Sequence, residues 1–231
     1  MTIFKIVRKL GARYYQKVLL IFLVGVCIIG LNSCQDKLAT ITNIDLGSGE
    51  KIIVLGDSIT AGFGLQLEQA YPYLLSQKLG LPIVNRGVSG DRTADGLARL
   101  SEDILSENPW LVIVGLGGND FLKKVPKSET EQNLRDIIGL IQAEKAITVI
   151  LGMNLGLFSD EYQELYQRVA EETGSYLIPQ ILKGIIDNPK HRQSDIIHPN
   201  VIGQELLAEK IAKGLEPLLK EAKIPLNLQR I

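Results

Sequence analysis

Cysteine is almost missing from this 231-residue chain, which holds only Cys27 and Cys34. Both precede residue 35, so the remainder can build neither a disulfide framework nor a cysteine-based zinc site, and its stability must come from a packed core. Excess charge is missing as well. Lys+Arg 25 against Asp+Glu 26 leave −1, with no basic surface for nucleic acid and no acidic tail. Histidine is scarce, and any imidazole chemistry is confined to His191 and His198. Compositional bias is absent too: 45% hydrophobic and 22% charged residues exclude a disordered or low-complexity chain.

The charge that is present is unevenly placed. Lys5, Arg8, Lys9, Arg13 and Lys17 give the first 17 residues a charge of +5 with no acid among them. Val18 to Leu31 follows, an uninterrupted run of 14 apolar or small residues, and then Asn32-Ser33-Cys34. This is the layout of an export signal. As a helix the run spans roughly 21 Å, short of a hydrocarbon core of about 30 Å, so cleavage is expected over a permanent span. Residues 1–34 are therefore read as an export signal. Residues 35–49 read as a polar linker, 50–223 as one folded domain and 224–231 as a C-terminal tail.

Between Lys51 and about Lys223, short β-rich runs alternate with longer stretches of helical period, the order of a parallel sheet covered by helices. Strands are expected at Lys51–Leu55, Leu81–Asn85, Trp110–Gly115, Ile147–Gly152 and Tyr176–Pro179. Leu97, Leu100 and Ile104 share one helical face, as do Leu134, Ile137, Ile138 and Ile141, and Leu207, Ile211, Leu215 and Leu218. Ser128-x-x-Glu131 fits a capping box, Pro72 a first helical turn, and Gly80 and Gly174 helix ends.

Ligand chemistry in such sheets sits beyond the carboxyl ends of the strands. The first three strands are followed by Gly56-Asp57-Ser58, Val88-Ser89-Gly90-Asp91 and Gly117-Gly118-Asn119-Asp120. Acyl transfer by serine needs a base, an acid to orient that base, and donors for a developing oxyanion. Ser58 suits the nucleophile, although a serine in a strand-to-helix turn is more often a cap. His191 lies in the charged stretch Pro189 to Gln193 and reads as a solvated loop residue. His198 has Asp195 three residues earlier, a spacing that lets a carboxylate reach Nδ1; the same spacing also suits a surface pair capping the last helix. Gly90 N–H and the Asn119 amide suit oxyanion donors, or plain turn chemistry. Asp57, Asp91 and Asp120 are expected to cap helices and hold loops. No Gly-x-x-x-x-Gly-Lys or Gly-x-Gly-x-x-Gly stands where phosphate or dinucleotide binding would need it.

Taken together and in order, Gly56-Asp57-Ser58, Gly90, Gly117-Gly118-Asn119-Asp120 and Asp195-x-x-His198 resemble the motifs of the GDSL or SGNH hydrolases. Ser89-Gly90-Asp91, Gly96 to Leu100, Leu116 to Asp120 and Ile197 to Asn200 resemble their bacterial thioesterase I/lysophospholipase L1 and arylesterase branch. The resemblance implies a three-layer αβα sandwich, flavodoxin-like, with a parallel five-stranded sheet. It implies Ser58 as nucleophile, Asp195 and His198 completing a triad, and Ser58 N–H, Gly90 N–H and Asn119 as the oxyanion hole, with no metal and no organic cofactor. Leu31-Asn32-Ser33-Cys34 separately resembles a bacterial lipoprotein signal in which Cys34 carries the lipid; ordinary cleavage nearby is the alternative.

The expectation is thus an exported serine esterase acting through an acyl-enzyme on lysophospholipid, aryl or short-chain esters, or on thioesters. It would be a monomer held in the periplasm or cell envelope by its signal or lipid anchor. Alternatives are a carbohydrate O-acetylesterase, a non-catalytic lipid- or glycan-binding module, or a metal-dependent phosphoesterase built on Asp57, Asp91, Asp120 and His198. After the fourth strand, Gly152 to Phe158 is short for the resembled branch, and Leu155, Leu157 and Phe158 suit either an acyl site or core packing.

Overall fold

Five parallel strands form one sheet in the order β2-β1-β3-β4-β5. They are β1 (Lys51–Gly56), β2 (Ile83–Gly87), β3 (Pro109–Gly115), β4 (Ile147–Leu151) and β5 (Tyr176–Ile178). The computed structural model describes residues 38–153 and 160–229. The expected export signal with Cys34, and Leu155, Leu157 and Phe158, lie outside the described residues. Every residue of β3 and β4 is buried, as expected for central strands covered on both faces, which explains their continuous apolar runs.

Helix α1 (Ser58–Ala61) and helix α2 (Tyr71–Leu79) follow β1. Next come α3 (Thr93–Ala98) and α4 (Leu100–Asp103) after β2, and α5 (Gly118–Leu122) and α6 (Lys127–Ala143) after β3. The last two, α7 (Asp160–Thr173) and α8 (Val201–Glu221), flank β5. α2 packs on α8 and β2, while α3 packs on α6 and α6 on α7 and β4, two helical layers around one sheet. Right-handed crossovers from a strand order of this kind require that division. The three-layer expectation is met.

Local differences have local causes. The face carrying Leu97, Leu100 and Ile104 is not one helix: it breaks at Arg99 (φ −99°, ψ 1°) into α3 and α4, although Leu100 and Ile104 are fully buried as expected. The guanidinium of Arg99 is bonded to four separate groups and fixes the break. The capping box at Ser128 does not form, because Pro126 takes the N-cap position two residues earlier and Glu131 is paired with Arg135 and Arg168. Pro72 does sit in the first turn of α2, and Gly80 (φ 63°) and Gly174 (φ 63°) do stand just past helix ends.

Part of the stretch expected as linker is bound to the domain. Thr42 N–H donates to Gly174 O, Asn43 Nδ2 donates to the carbonyls of Gln142 and Ala146, and Ile44 is buried. Near the other end, Leu228 is also buried and Asn227 Nδ2 donates to Glu50 O. Among the described residues, no helix is long and apolar enough to cross a membrane.

Candidate active site

The register decides where the chemistry can be. Gly56 is level with Gly87 on one side and with Gly115 on the other, so the three loops leave the sheet at one height. A Cβ at Gly87 would stand 2.3 Å from Ala61 N. Only a residue without a side chain lets α1 sit that close to β2.

Asp57, not Ser58, caps α1: its Oδ1 accepts from Ile59 N–H at 2.9 Å. Ser58 Oγ is thereby left for other partners, and it lies 2.8 Å from His198 Nε2. On the far side of the ring, His198 Nδ1 is 2.6 Å from Asp195 Oδ2. Asp195 Oδ1 accepts from the N–H groups of Ile197 and His198, each at 3.0 Å. The turn that presents the pair is strained: Ile196 has φ 64°, a left-handed conformation that costs about 1–2 kcal/mol for such a residue. The bonds into Asp195 Oδ1 hold it there. Partial burial raises the Asp195 pKa, but hydrogen bonds from His198 N–H, its ring and Ile197 N–H outweigh that and leave it below the ordinary carboxylate value.

In the loop after β3, Asn119 Nδ2 donates to Asp91 O at 2.9 Å and, more weakly, to Asp57 Oδ2 at 3.4 Å. Gly90 has φ 89°, which sets its peptide in a conformation that other residues resist. Arg99 secures this wall. Its Nε donates to Asp91 Oδ2 at 2.7 Å, and Nη2 donates to Arg86 O at 2.8 Å and Gly56 O at 3.2 Å. One guanidinium thus ties the ends of β1 and β2 to the loop holding Gly90. Asp120 is buried and accepts from Thr93 N–H and Oγ1. The three carboxylates singled out in the sequence are therefore committed to loops and caps, contrary to the phosphoesterase alternative. Among the described residues, His191 bonds Gly184 O in its own loop and stands outside the Ser58–His198–Asp195 chain.

Besides Arg99, the sequence reading missed the roles of Gln204 and Gln193. Gln204 is buried in the first turns of α8, where Nε2 donates to Ile59 O at 3.1 Å and Oε1 accepts from Tyr71 N–H at 2.8 Å. It falls on the same helical face as Leu207 and Ile211, and an amide on an otherwise apolar face was the available signal. Gln193 joins the His198 loop to the turn after α1, since Nε2 donates to Phe63 O at 2.8 Å and Pro199 O at 3.1 Å. A separate open cavity of about 1030 Å³, lined by Gly49, Asn108, Lys223 and Pro225 among others, lies at the opposite, amino-terminal end of β1 and β3.

Asp57 itself is almost fully buried. Burial pushes its pKa up to about 6, against the Ile59 N–H and the His198 charge, with the Asp91 carboxylate adding to the rise. The folded state therefore holds the proton more tightly than the unfolded chain. Stability should fall as pH rises from about 4 to about 6 and stay lower above, by about 3 kcal/mol in all. Urea midpoints measured across pH 4–8 for wild type and Asp57→Asn, which keeps the cap, should converge at the acid end and diverge above it. Parallel curves would refute this assignment.

The chain is similar to known proteins along most of its length. Residues 54–206 match the model of the GDSL-like Lipase/Acylhydrolase family. A protein of Escherichia coli (strain K12) named thioesterase 1/protease 1/lysophospholipase L1 is 32% identical over 179 residues, 74% of this chain and 86% of the relative. An arylesterase of Vibrio mimicus is 34% identical over 178 residues, 73% of this chain and 89% of the relative. Among solved structures, the crystal structure of TesA superposes with a TM-score of 0.69 at 34% identity, covering 73% of this chain and 99% of that one. With the fold, the level strand ends and the serine–imidazole–carboxylate chain already in place, these matches make the chain a member of the GDSL-like Lipase/Acylhydrolase family and a hydrolase of carboxylic esters.

Proposed function

We propose that Ser58, His198 and Asp195 are the catalytic triad of this esterase, with the N–H groups of Ser58 and Gly90 and the Asn119 amide as its oxyanion hole. The observation that carries this reading is the continuous chain from Ser58 Oγ to His198 Nε2 at 2.8 Å and from Nδ1 to Asp195 Oδ2 at 2.6 Å. Ser58 Oγ attacks the acyl carbon while its proton passes to Nε2. The carbonyl oxygen takes the negative charge and turns toward Asn119, displacing the long Asn119–Asp57 bond rather than the shorter one to Asp91. As the carbonyl re-forms, the bond to the leaving oxygen or sulfur breaks and that atom takes the proton from Nε2. Water repeats the sequence on the acyl-enzyme.

The substrates in this reading are lysophospholipid, aryl and short-chain acyl esters and thioesters; the lysophospholipid, aryl and thioester classes are those named in the relatives. Asn119→Ala should lower kcat by about 10²–10³ with KM nearly unchanged, since the contact strengthens only as charge develops on oxygen. Hydrolysis of p-nitrophenyl butyrate measures this, and a raised KM at constant kcat would make Asn119 a binding residue instead. Export, with Cys34 as a lipid anchor and residues 35–40 as the tether, belongs to the same proposal. Palmitate labelling that is lost in Cys34→Ser tests it.

A further inference from the structure

Among the described residues, two unlike sets of loops flank the site. The polar one carries Gly90, Asn119 and the Arg99 clamp, from the loops after β2 and β3. The other comes from the turn after α1 and the loop before α8, and at its centre the Phe63 ring lies against the His198 imidazole, with centroids 4.6 Å apart and planes tilted by 33°. Phe63 is nevertheless 48% exposed, and Ile196, in the turn between Asp195 and His198, is 55% exposed. An aromatic side chain thus faces solvent while lying directly on the imidazole.

Phe63 is not a loose surface ring. Its N–H donates to Ser58 O at 3.0 Å and its carbonyl accepts from Gln193 Nε2 at 2.8 Å, so both ends of the residue are fixed to the triad loops. Gly62 (φ 75°) and Gly64 (φ 76°) on either side set the turn that aims it.

The direction of the chemistry says what meets this ring. The substrate carbonyl oxygen turns to the polar wall, where the donors are. The leaving oxygen must end within reach of His198 Nε2, which protonates it, so the leaving group exits along the wall that Phe63 covers. We infer that Phe63 is the leaving-group platform of this esterase and selects flat, apolar alcohols such as phenols over small or polar ones. The inference rests on the triad proposed above. Its physical basis is ordinary: an aromatic leaving group gains offset stacking and loses water against an anchored ring, while a small polar alcohol gains neither.

The test holds the acyl group constant and changes only the leaving group. Phenyl acetate and 2,2,2-trifluoroethyl acetate are both activated esters, but only the first presents a flat apolar ring. In Phe63→Ala, kcat/KM for phenyl acetate should fall about five- to tenfold relative to wild type while that for trifluoroethyl acetate changes less than about twofold. Phe63→Leu, which keeps apolar bulk, should lie between, and thermal melts of both variants check that they fold. Equal losses on the two esters would overturn the inference by making Phe63 only a support for His198, and no loss on either would overturn it by removing Phe63 from the leaving group's path. Ser58→Ala run on the same esters reports separately on the triad: if it stays active, the underlying reading has failed whatever Phe63 does.

Discussion

Replacing Ser58 by alanine should lower kcat on p-nitrophenyl esters by about 10⁴–10⁶, because no other group in the cluster can form the covalent acyl bond. His198→Ala should fall by a similar factor, and the double variant should be little worse than either single one. That non-additivity is the signature of a unit: once the base is gone the hydroxyl attacks poorly, and once the hydroxyl is gone the base has nothing to deprotonate. Neither change should unfold the protein. Ser58 stands at the start of α1, whose cap is supplied by Asp57, and among the described residues its Oγ bonds to His198 and caps nothing. Single-turnover kinetics with p-nitrophenyl butyrate, beside a thermal melt, provide the measurement. A loss under about tenfold in Ser58→Ala, with the fold intact, would remove Ser58 from the reaction.

Asp195→Asn should cost about 10⁴ in kcat with the structure preserved, a larger effect than its distance from the acyl carbon suggests. The carboxylate accepts from Nδ1 and so keeps the Nε2 lone pair facing Ser58; an amide in its place can donate to Nδ1 and stabilise the wrong tautomer. Its lowered pKa favours the ionised carboxylate, the form that accepts from Nδ1. The variant pair separates chemistry from support. Asn retains an oxygen to accept the Ile197 and His198 N–H groups, whereas Asp195→Ala removes that acceptor from the turn holding Ile196 at φ 64°. Both should be inactive, but only Asp195→Ala should also show a lower melting temperature. If Asp195→Asn keeps more than about a tenth of wild-type kcat, the orienting role is wrong.

Much of this was legible along the chain because the signals are local. Alternation of apolar runs with helical period is enough to specify a parallel α/β sheet, and turn-forming residues at three strand ends mark the edge where a ligand would sit. Even so, strand limits slipped by up to two residues at Ile83–Gly87, and the Leu97–Ile104 helix broke where a guanidinium found partners on two strands. Arg99, Gln193 and Gln204 look ordinary in the sequence. Their roles exist only through partners far away in the chain, such as Ile59 for Gln204 and Phe63 for Gln193.

The sequence by itself determined which residue types were available and in what order: a serine in a strand-to-helix turn, two histidines, and a carboxylate three residues before one of them. Periodicity and turn chemistry act between near neighbours, so they can be read in one dimension. Only the tertiary structure decided that Ser58 and His198, 140 residues apart, share a hydrogen bond, that Asp57 rather than Ser58 caps α1, and that Phe63 lies on the imidazole while keeping half its surface in water. Those outcomes depend on the register of β1 against β2 and β3 and on how α8 closes over α2, long-range packing that no local pattern encodes.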